Sequence, residues 1–388
     1  MINNKKLRIL CVLGTRPETI KMAPVIRELE KYPDCIEPRI CVTAQQREML
    51  DQMLDLFGIS PNRDLNLMQT NQSLSELTSR ILINMTEVLA EEAPDCVLIQ
   101  GDTTTAMVTA LAAFYLRIPI GHIEAGLRTN NRYSPFPEEI NRRIVSILAT
   151  YHFAPTKRAK DRLIAEGIDP KTVFLTGNTV VDAIHLILSR PASEETRKLF
   201  SELGLPNPDS ANAEEIPFKL ILVTAHRRES FGAPFESLCK GLRRIAEENE
   251  DVILIYPVHL NPNVRDPVNR ILSRQARIKL IDPLSYEPFV HLMNVAYFIL
   301  TDSGGIQEEA SVLGKPVLIL RETTERPEIV ETEIAKIVGT DSIKIQTESE
   351  KLLRNIDAYR FMARKVNVFG DGHASEKIVE VLQKKEGE

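Results

Sequence analysis

Two rhythms alternate along this chain. Short runs that are apolar almost throughout (LRILCVLG, PRICVTA, DCVLIQGD, IPIGHIEA, YHFAPT and TVFLTGN) are separated by longer stretches with apolar residues at helical spacing. The latter are PETIKMAPVIRELEKY, QREMLDQMLDLFG, TTTAMVTALAAFYLR, PEEINRRIVSILAT and KRAKDRLIAEG. Apolar runs of strand length predict parallel strands covered on both faces, and the 3.6-residue period between them predicts helices. Strand then helix in repetition predicts a doubly wound α/β domain.

After the helix VVDAIHLIL the alternation lapses, and residues 189–217 combine a short helix with a Pro-, Asn- and Asp-rich loop that reads as a linker. It then resumes through KLILVTAHR, DVILIYPVH, RIKLIDP, YFILTDSGG, KPVLILRE and AKIVG. The expected organisation is an N-terminal Rossmann-like domain over 1–188, the linker over 189–217, and a second Rossmann-like domain over 218–365. A C-terminal helix within 366–388 is free to pack back on the first domain. Two such domains facing a central cleft put ligands at the carboxyl ends of both sheets.

Composition narrows the classes of function. A chain of 388 residues is too long for one compact core. A net charge of −6 argues against a general binder of nucleic acid or anionic membrane. No apolar run approaches the ~20 residues that span a bilayer, and the opening MINNKKLRIL does not read as a signal peptide. The five cysteines are scattered, with Cys11, Cys41 and Cys96 in strand-like runs, which suggests buried free thiols in a reducing cytoplasm. No Cys or His spacing resembles a metal cage, and no G-x-G-x-x-G turn follows the first strand.

The unusual polar residues gather where strands end. In the first half they are Arg16-Pro17-Glu18 with Lys21, QGDTTT (100–105), HIEAGLRT (122–129) and FPEEINRR (136–143). In the second they are TAHRRES (224–230), YPVHLNPNVR (256–265), TDSGGIQEE (301–309) and RETTERPE (321–328). Ser303, Gly304 and Gly305 open a helix, so their segment serves either as a diphosphate cradle or as a plain helix cap, with Glu309 in reach of ribose hydroxyls. Arg16 and Arg326 suit phosphate oxygens. Asp102 and Glu138 fit either helix caps or active carboxylates, whereas Glu124 interrupts an apolar strand end and reads as a buried acid near other acids. His226, beside Arg227 and Arg228, fits a phosphate ligand or a general acid, while His122 reads as structural.

Together GTRPETIKMAPVI, TAQQREMLDQ, GDTTT, HIEAGLRT, PEEINRR, TGNTVVDA, TAHRRES, YPVHLNPNVR, TDSGGIQEEA and TTERPE resemble the non-hydrolysing UDP-N-acetylglucosamine 2-epimerases, from about residue 7 to the final helix. The resemblance implies a GT-B-type fold and interconversion of UDP-N-acetylglucosamine (UDP-GlcNAc) with UDP-N-acetylmannosamine (UDP-ManNAc), without metal or nicotinamide cofactor. UDP would be eliminated to leave 2-acetamidoglucal and then added back. It also implies a cytoplasmic homodimer.

Motif by motif, Asp102, Glu124 and Glu138 match the family's active-site carboxylates, His226 its catalytic histidine, and Arg16, Lys21 and Arg142 its active-site cations. Ser303, Gly304, Gly305, Glu309 and Arg326 match UDP contacts, as do Arg16, His259 and Phe289. Gln45, Gln46 and Gln72 match residues with which some members bind a second UDP-GlcNAc as activator. Here Gln46 stands where many members have His, and Asn71 where several have Arg or Gly. The competing expectations are a hydrolysing epimerase that releases free sugar and UDP, a GT-B glycosyltransferase, and a non-catalytic nucleotide-sugar sensor.

Overall fold

The computed structural model describes residues 6–43, 47–67, 72–210 and 216–384. Within them the chain forms two compact units, Met1–Leu186 with Phe369–Glu388 and Ile187–Val368. The first holds strands β1 (Leu7–Leu13), β2 (Ile36–Val42), β3 (Arg63–Asp64), β4 (Cys96–Gln100), β5 (Ile120–Ile123), β6 (Tyr151–Ala154) and β7 (Val173–Leu175). The second holds β8 (Lys219–Thr224), β9 (Val252–Pro257), β10 (Ile278–Ile281), β11 (Phe298–Thr301), β12 (Val317–Ile319) and β13 (Ala335–Ile337).

Helices α1 (Arg16–Leu29), α2 (Arg47–Phe57), α3 (Leu74–Glu92), α4 (Thr104–Tyr115), α5 (Glu138–Leu148), α6 (Lys157–Ala165) and α7 (Thr179–Leu188) alternate with the first set of strands. Helices α8 (Glu194–Leu203), α9 (Ala233–Glu248), α10 (Pro262–Leu272), α11 (Tyr286–Val295), α12 (Gly304–Val312), α13 (Pro327–Glu331), α14 (Ser342–Arg354) and α15 (Ile356–Met362) accompany the second. Helix α16 (Ala374–Lys384) ends the described chain.

Both sheets are parallel at every described pairing. Their orders are β3-β2-β1-β4-β5-β6-β7 and β10-β9-β8-β11-β12-β13. Strand order reverses between β1 and β4 in one sheet and between β8 and β11 in the other. In open α/β sheets those switch points are where loops diverge and leave room for a ligand. The uninterrupted apolar runs have the predicted cause: every residue of β4 is buried, as are all but one of β1, because helices cover both faces.

The strand runs quoted above each fall on a strand. In the first unit two elements were not expected. The two-residue β3 is too short to carry a pattern. Helix α3 does carry a capping box, Ser73 with Glu76, and buries Leu77, Ile81, Met85, Val88 and Leu89. Exposed Leu74 and Ile83 put apolar residues on its outer face as well and blur the period.

The segment 187–210 belongs to the second unit. Helix α8 packs on α11, and Glu287 of α11 accepts the N–H of Ser193, the α8 cap residue, at 2.6 Å. Helix α16 packs on α1 in the first unit. Its first turn is held by the buried Asp182 of α7, which accepts the N–H groups of Ser375 (2.8 Å) and Ala374 (3.3 Å). Burial raises the Asp182 carboxyl above its ordinary value, against those two donors. Asp182→Ala should cost about 1–2 kcal/mol, the scale of a lost helix cap. Urea unfolding should register that loss, and hydrogen exchange should show faster opening of residues 374–384 than of β1 and β4.

Candidate active site

In the first unit the polar groups are carried by the turns that leave β1, β4 and β5, and by the starts of α5 and α7. Gly14 follows β1 where the Thr105 and Thr43 hydroxyls, 3.0 Å apart, both stand within 2.8 Å of where a β-carbon would be and leave no room for a side chain. The chain then turns directly into α1, with Arg16 first and Pro17 behind it, where a missing N–H costs nothing.

Glu18, two residues on, is buried. Its carboxylate accepts the Gly14 N–H (2.9 Å) and the hydroxyls of Thr15 (2.8 Å) and Thr103 (2.6 Å). It thereby ties the turn carrying Arg16 to the turn carrying Asp102. Burial outweighs those donors and raises the Glu18 carboxyl to about 7.

Lys21, one turn further, donates to Glu124 at 2.6 Å. Glu124 sits just past β5 in the left-handed region, φ 66°, a conformation uncommon for a residue with a side chain. Its carboxylate also accepts Asn178 Nδ2 at 3.1 Å and Gln100 Nε2. Its direct partners are thus a cation and two amides. A buried carboxylate needs donors to offset lost hydration, and Lys21, Asn178 and Gln100 supply them from three elements.

Asp102 does not cap α4; Thr103 does, through its hydroxyl and the Ala106 N–H at 3.0 Å. The Asp102 carboxylate is left to pair with Arg142, while its carbonyl accepts Asn141 Nδ2 at 2.9 Å. Beneath it the buried His122 ring meets the Gly101 carbonyl at 2.8 Å. Burial pushes that imidazole down to about 3, so it stays neutral, donates through Nε2 and braces the turn.

Of the two adjacent acids opening α5, Glu139 is the structural one. It is buried and accepts the Thr129 and Asn130 N–H groups and the Arg142 and Arg143 guanidinium groups. Glu138 is half-buried, caps nothing, and has a carboxylate oxygen that is shielded from solvent and accepts no hydrogen bond.

In the second unit Ser303 is the N-cap of α12, but its side chain makes no capping bond. The first N–H groups of that helix have no partner within it. A side chain at Gly305 would enter open space, so the main chain itself is approachable there. Glu309, one turn in, accepts the Tyr286 hydroxyl at 3.1 Å, which ties α12 to the first turn of α11, where Phe289 stands half-buried. Arg326 pairs with the buried Glu308. His226, after β8, stacks on His259, after β9, with ring centroids 5.3 Å apart and planes 8° from parallel.

Of the residues matched to a second, activating site, Gln45 and Gln46 lie outside the described residues. Gln72 accepts a hydrogen bond from Arg80.

The set in the first unit is a group of carboxylates interleaved with cations, suited to moving protons. The set in the second is an open helix start with a histidine and an arginine, suited to an anionic ligand. Sequence reasoning missed Asn178 and Gln100, which lay inside quoted motifs, and it assigned no role to Glu18. The motif TGN and the strand-ending Gln were visible, but their purpose appears only when Glu124 is seen between them.

A family model described as UDP-N-acetylglucosamine 2-epimerase matches residues 27–383. UDP-N-acetylglucosamine 2-epimerase of Salmonella typhimurium is 52% identical over 382 residues, 97% of this chain and 98% of that one. Among solved structures, that of UDP-GlcNAc 2-epimerase from Neisseria meningitidis, bound to UDP-GlcNAc, has a TM-score of 0.88 and 47% identity over 97% of this chain and 100% of that one. A structure named putative UDP-N-acetylglucosamine 2-epimerase from Listeria monocytogenes has a TM-score of 0.89 and 43% identity, covering 99% and 97%. The fold, two parallel α/β units of GT-B type, is shared along the whole chain.

Because Glu18 titrates near 7 in the folded chain and near its ordinary 4.5 once unfolded, folding retains a proton between those values. The contribution is full below pH 4.5, declines through the interval, and is lost above about pH 7, a span of roughly 3 kcal/mol for a shift of this size. Glu18→Gln, which imitates the protonated form, should flatten this slope when unfolding free energy is measured from pH 4.5 to 7.5. Parallel curves for the two proteins would show that Glu18 titrates normally.

Proposed function

The chain belongs to the UDP-N-acetylglucosamine 2-epimerase family of isomerases, and from that premise we propose that it interconverts UDP-GlcNAc and UDP-ManNAc without hydrolysis. The single observation that carries this reading is Glu124. It is a buried carboxylate in a strained backbone conformation, bound by Lys21, Asn178 and Gln100 at the switch-point edge of the first sheet. A surface acid or a helix cap needs none of this.

The chemistry follows from the substrate. The C2 hydrogen of the sugar is not acidic, since no carbonyl adjoins it. Departure of the diphosphate from C1 must therefore accompany its removal, through a state with positive charge at the anomeric carbon that carboxylates stabilise. The C2–H electron pair becomes the C1=C2 bond of 2-acetamidoglucal, the proton goes to a base, and the C1–O pair leaves with UDP. Return of a UDP oxygen to C1 and of a proton to the opposite face of C2 gives the epimer.

We assign Asp102, Glu124 and Glu138 to the proton transfers and to charge stabilisation, with Arg16, Lys21 and Arg142 setting their charge and geometry. His226 is the catalytic histidine and works as a general acid at the departing diphosphate, while Arg16, Ser303, Gly304, Gly305 and Arg326 hold the UDP, His259 and Phe289 lie at the nucleotide, and Glu309 takes ribose hydroxyls. The departing UDP has to stay bound, or the enzyme would only hydrolyse its substrate.

We also assign the protein to the cytoplasm, in keeping with its free cysteines, four of them buried. We further propose a homodimer built through the first unit. Adjacent helices α3, α4 and α5 expose Ile83, Phe114, Tyr115 and Ile147, an apolar strip unusual on a surface left to water.

Incubation of the pure protein with UDP-GlcNAc in D2O should give a plateau mixture of two UDP-sugars with deuterium at C2. Steady release of free sugar would replace this reading with hydrolysis. Glu124→Gln and Asp102→Asn should each reduce kcat by two or more orders of magnitude, the scale of a general acid–base contribution, with UDP still bound by calorimetry. Ile83→Glu with Phe114→Glu should shift the sedimentation coefficient from dimer to monomer; an unchanged value would place the interface elsewhere.

A further inference from the structure

Asp302 follows β11 and His226 follows β8, so the two face each other across the switch point of the second sheet. Asp302 is fully buried. Its Oδ2 accepts the backbone N–H groups of His226 and Arg227, both at 2.7 Å, which fixes the carboxylate and the start of the histidine loop together. Its Oδ1 is also buried and accepts no hydrogen bond. Buried carboxylate oxygens without a donor are rare, and each calls for a reason. The His226 ring supplies one: its Nδ1 stands 3.8 Å from that oxygen, about 1 Å beyond hydrogen-bond reach.

We propose that Asp302 is a positioning residue for His226, taking the Nδ1–H of the imidazole when the nucleotide sugar is bound and leaving Nε2 to work on it. The inference rests on the reading of His226 given above.

The surroundings allow the necessary movement and little else. The ring is 43% exposed, so it is free to slide by the missing distance, whereas the carboxylate is anchored. His259 lies parallel against one face and confines the motion to the ring plane. His259 is itself fixed, because its Nδ1 accepts the Asn261 N–H at 3.1 Å. Catalytic hydrogen bonds are commonly long before substrate arrives and tighten afterwards.

The charged groups around the ring act in both directions. Partial burial lowers the basicity of His226, Asp302 raises it, and His259 and Arg227 lower it again. Glu325 in turn faces Arg227. A carboxylate at Nδ1 therefore fixes the tautomer and supports the imidazolium whenever Nε2 holds a proton.

Asp302→Asn separates this role from a structural one. The asparagine oxygen can still accept both backbone N–H groups, so the loop should fold. Its amide nitrogen then faces Nδ1 as a donor and forces the ring proton to Nε2, the wrong tautomer. In the full chain kcat should fall on the order of a hundredfold or more, by analogy with the wrong-tautomer loss in a serine protease triad. KM and the Kd for UDP should change by less than about threefold, since the nucleotide cradle is untouched. Thermal midpoint should be unchanged, and the limb of the kcat/KM profile that reports His226 should move to lower pH, because a neighbouring negative charge has been removed.

In a His226→Ala background the same substitution should cause almost no further loss, as residues acting in one unit do. Native kcat in Asp302→Asn, or an equal loss in the His226→Ala background, would overturn the proposal. Should the variant fail to fold, nitrogen-15 spectra of wild-type His226 with UDP decide alone: a protonated Nδ1 supports the pairing, and a bare Nδ1 excludes it. Wild-type protein unable to turn over UDP-GlcNAc would sink the functional reading instead, and the same spectra would still report whether the pair forms.

Discussion

A carboxylate cannot be taken out of water unless other donors replace the hydration it loses, and the first unit is organised around that constraint. Glu124 sits at the end of β5, and the groups that meet it come from α1, the end of β4 and the turn before α7. Those elements are far apart in the chain, and the all-parallel sheet brings their ends to one edge. Glu18 applies the same logic in the opposite balance. Its hydroxyl and amide partners are too few to outweigh burial, so it keeps a proton to about 7 where Glu124 is held against an ammonium group. Two carboxylates on neighbouring turns thus receive different environments from the same sheet edge.

Much of the fold was legible because doubly wound units impose long-range order through local patterns. A strand covered on both faces has to be apolar throughout, and a helix lying on such a sheet has to be apolar on one side. Helix α3 escaped because Leu74 and Ile83 face outward, which is a demand of its surface rather than of its core. The site was legible only in part. Asp102, Glu124 and His226 announce themselves by placing a charged or titratable group at the end of an apolar run. Gln100, Asn178 and Asp302 do not, since an amide in a strand or an acid before a glycine pair has many ordinary uses. Their purpose is relational: each is defined by the side chain it touches, and that neighbour comes from another element.

In the proposed function the second unit receives an anion although the chain carries a net charge of −6. The attraction is local, supplied by free N–H groups at the start of α12 and by the partial positive charge of that helix end. Arg326 stands beside it, tethered by Glu308, and Arg321 is clamped between Glu229 and Glu325 at 2.6 and 2.7 Å. Acids near an anion site look self-defeating until their geometry is considered. They hold guanidinium groups in fixed orientations, which lowers the entropic cost of using them. Asp302 extends this pattern from arginine to histidine.

The return of α16 to the first unit bears on how the chain is made. That unit is discontinuous: its sheet is complete by β7, yet the helix that packs on α1 is translated only after all of the second unit. During synthesis, at roughly 5–20 residues per second, the apolar side of α1 that α16 will cover waits some tens of seconds uncovered. The second unit has no such wait, being encoded in one stretch. The ribosome thus imposes an order of maturation, in which the second unit is finished before the first can close its core.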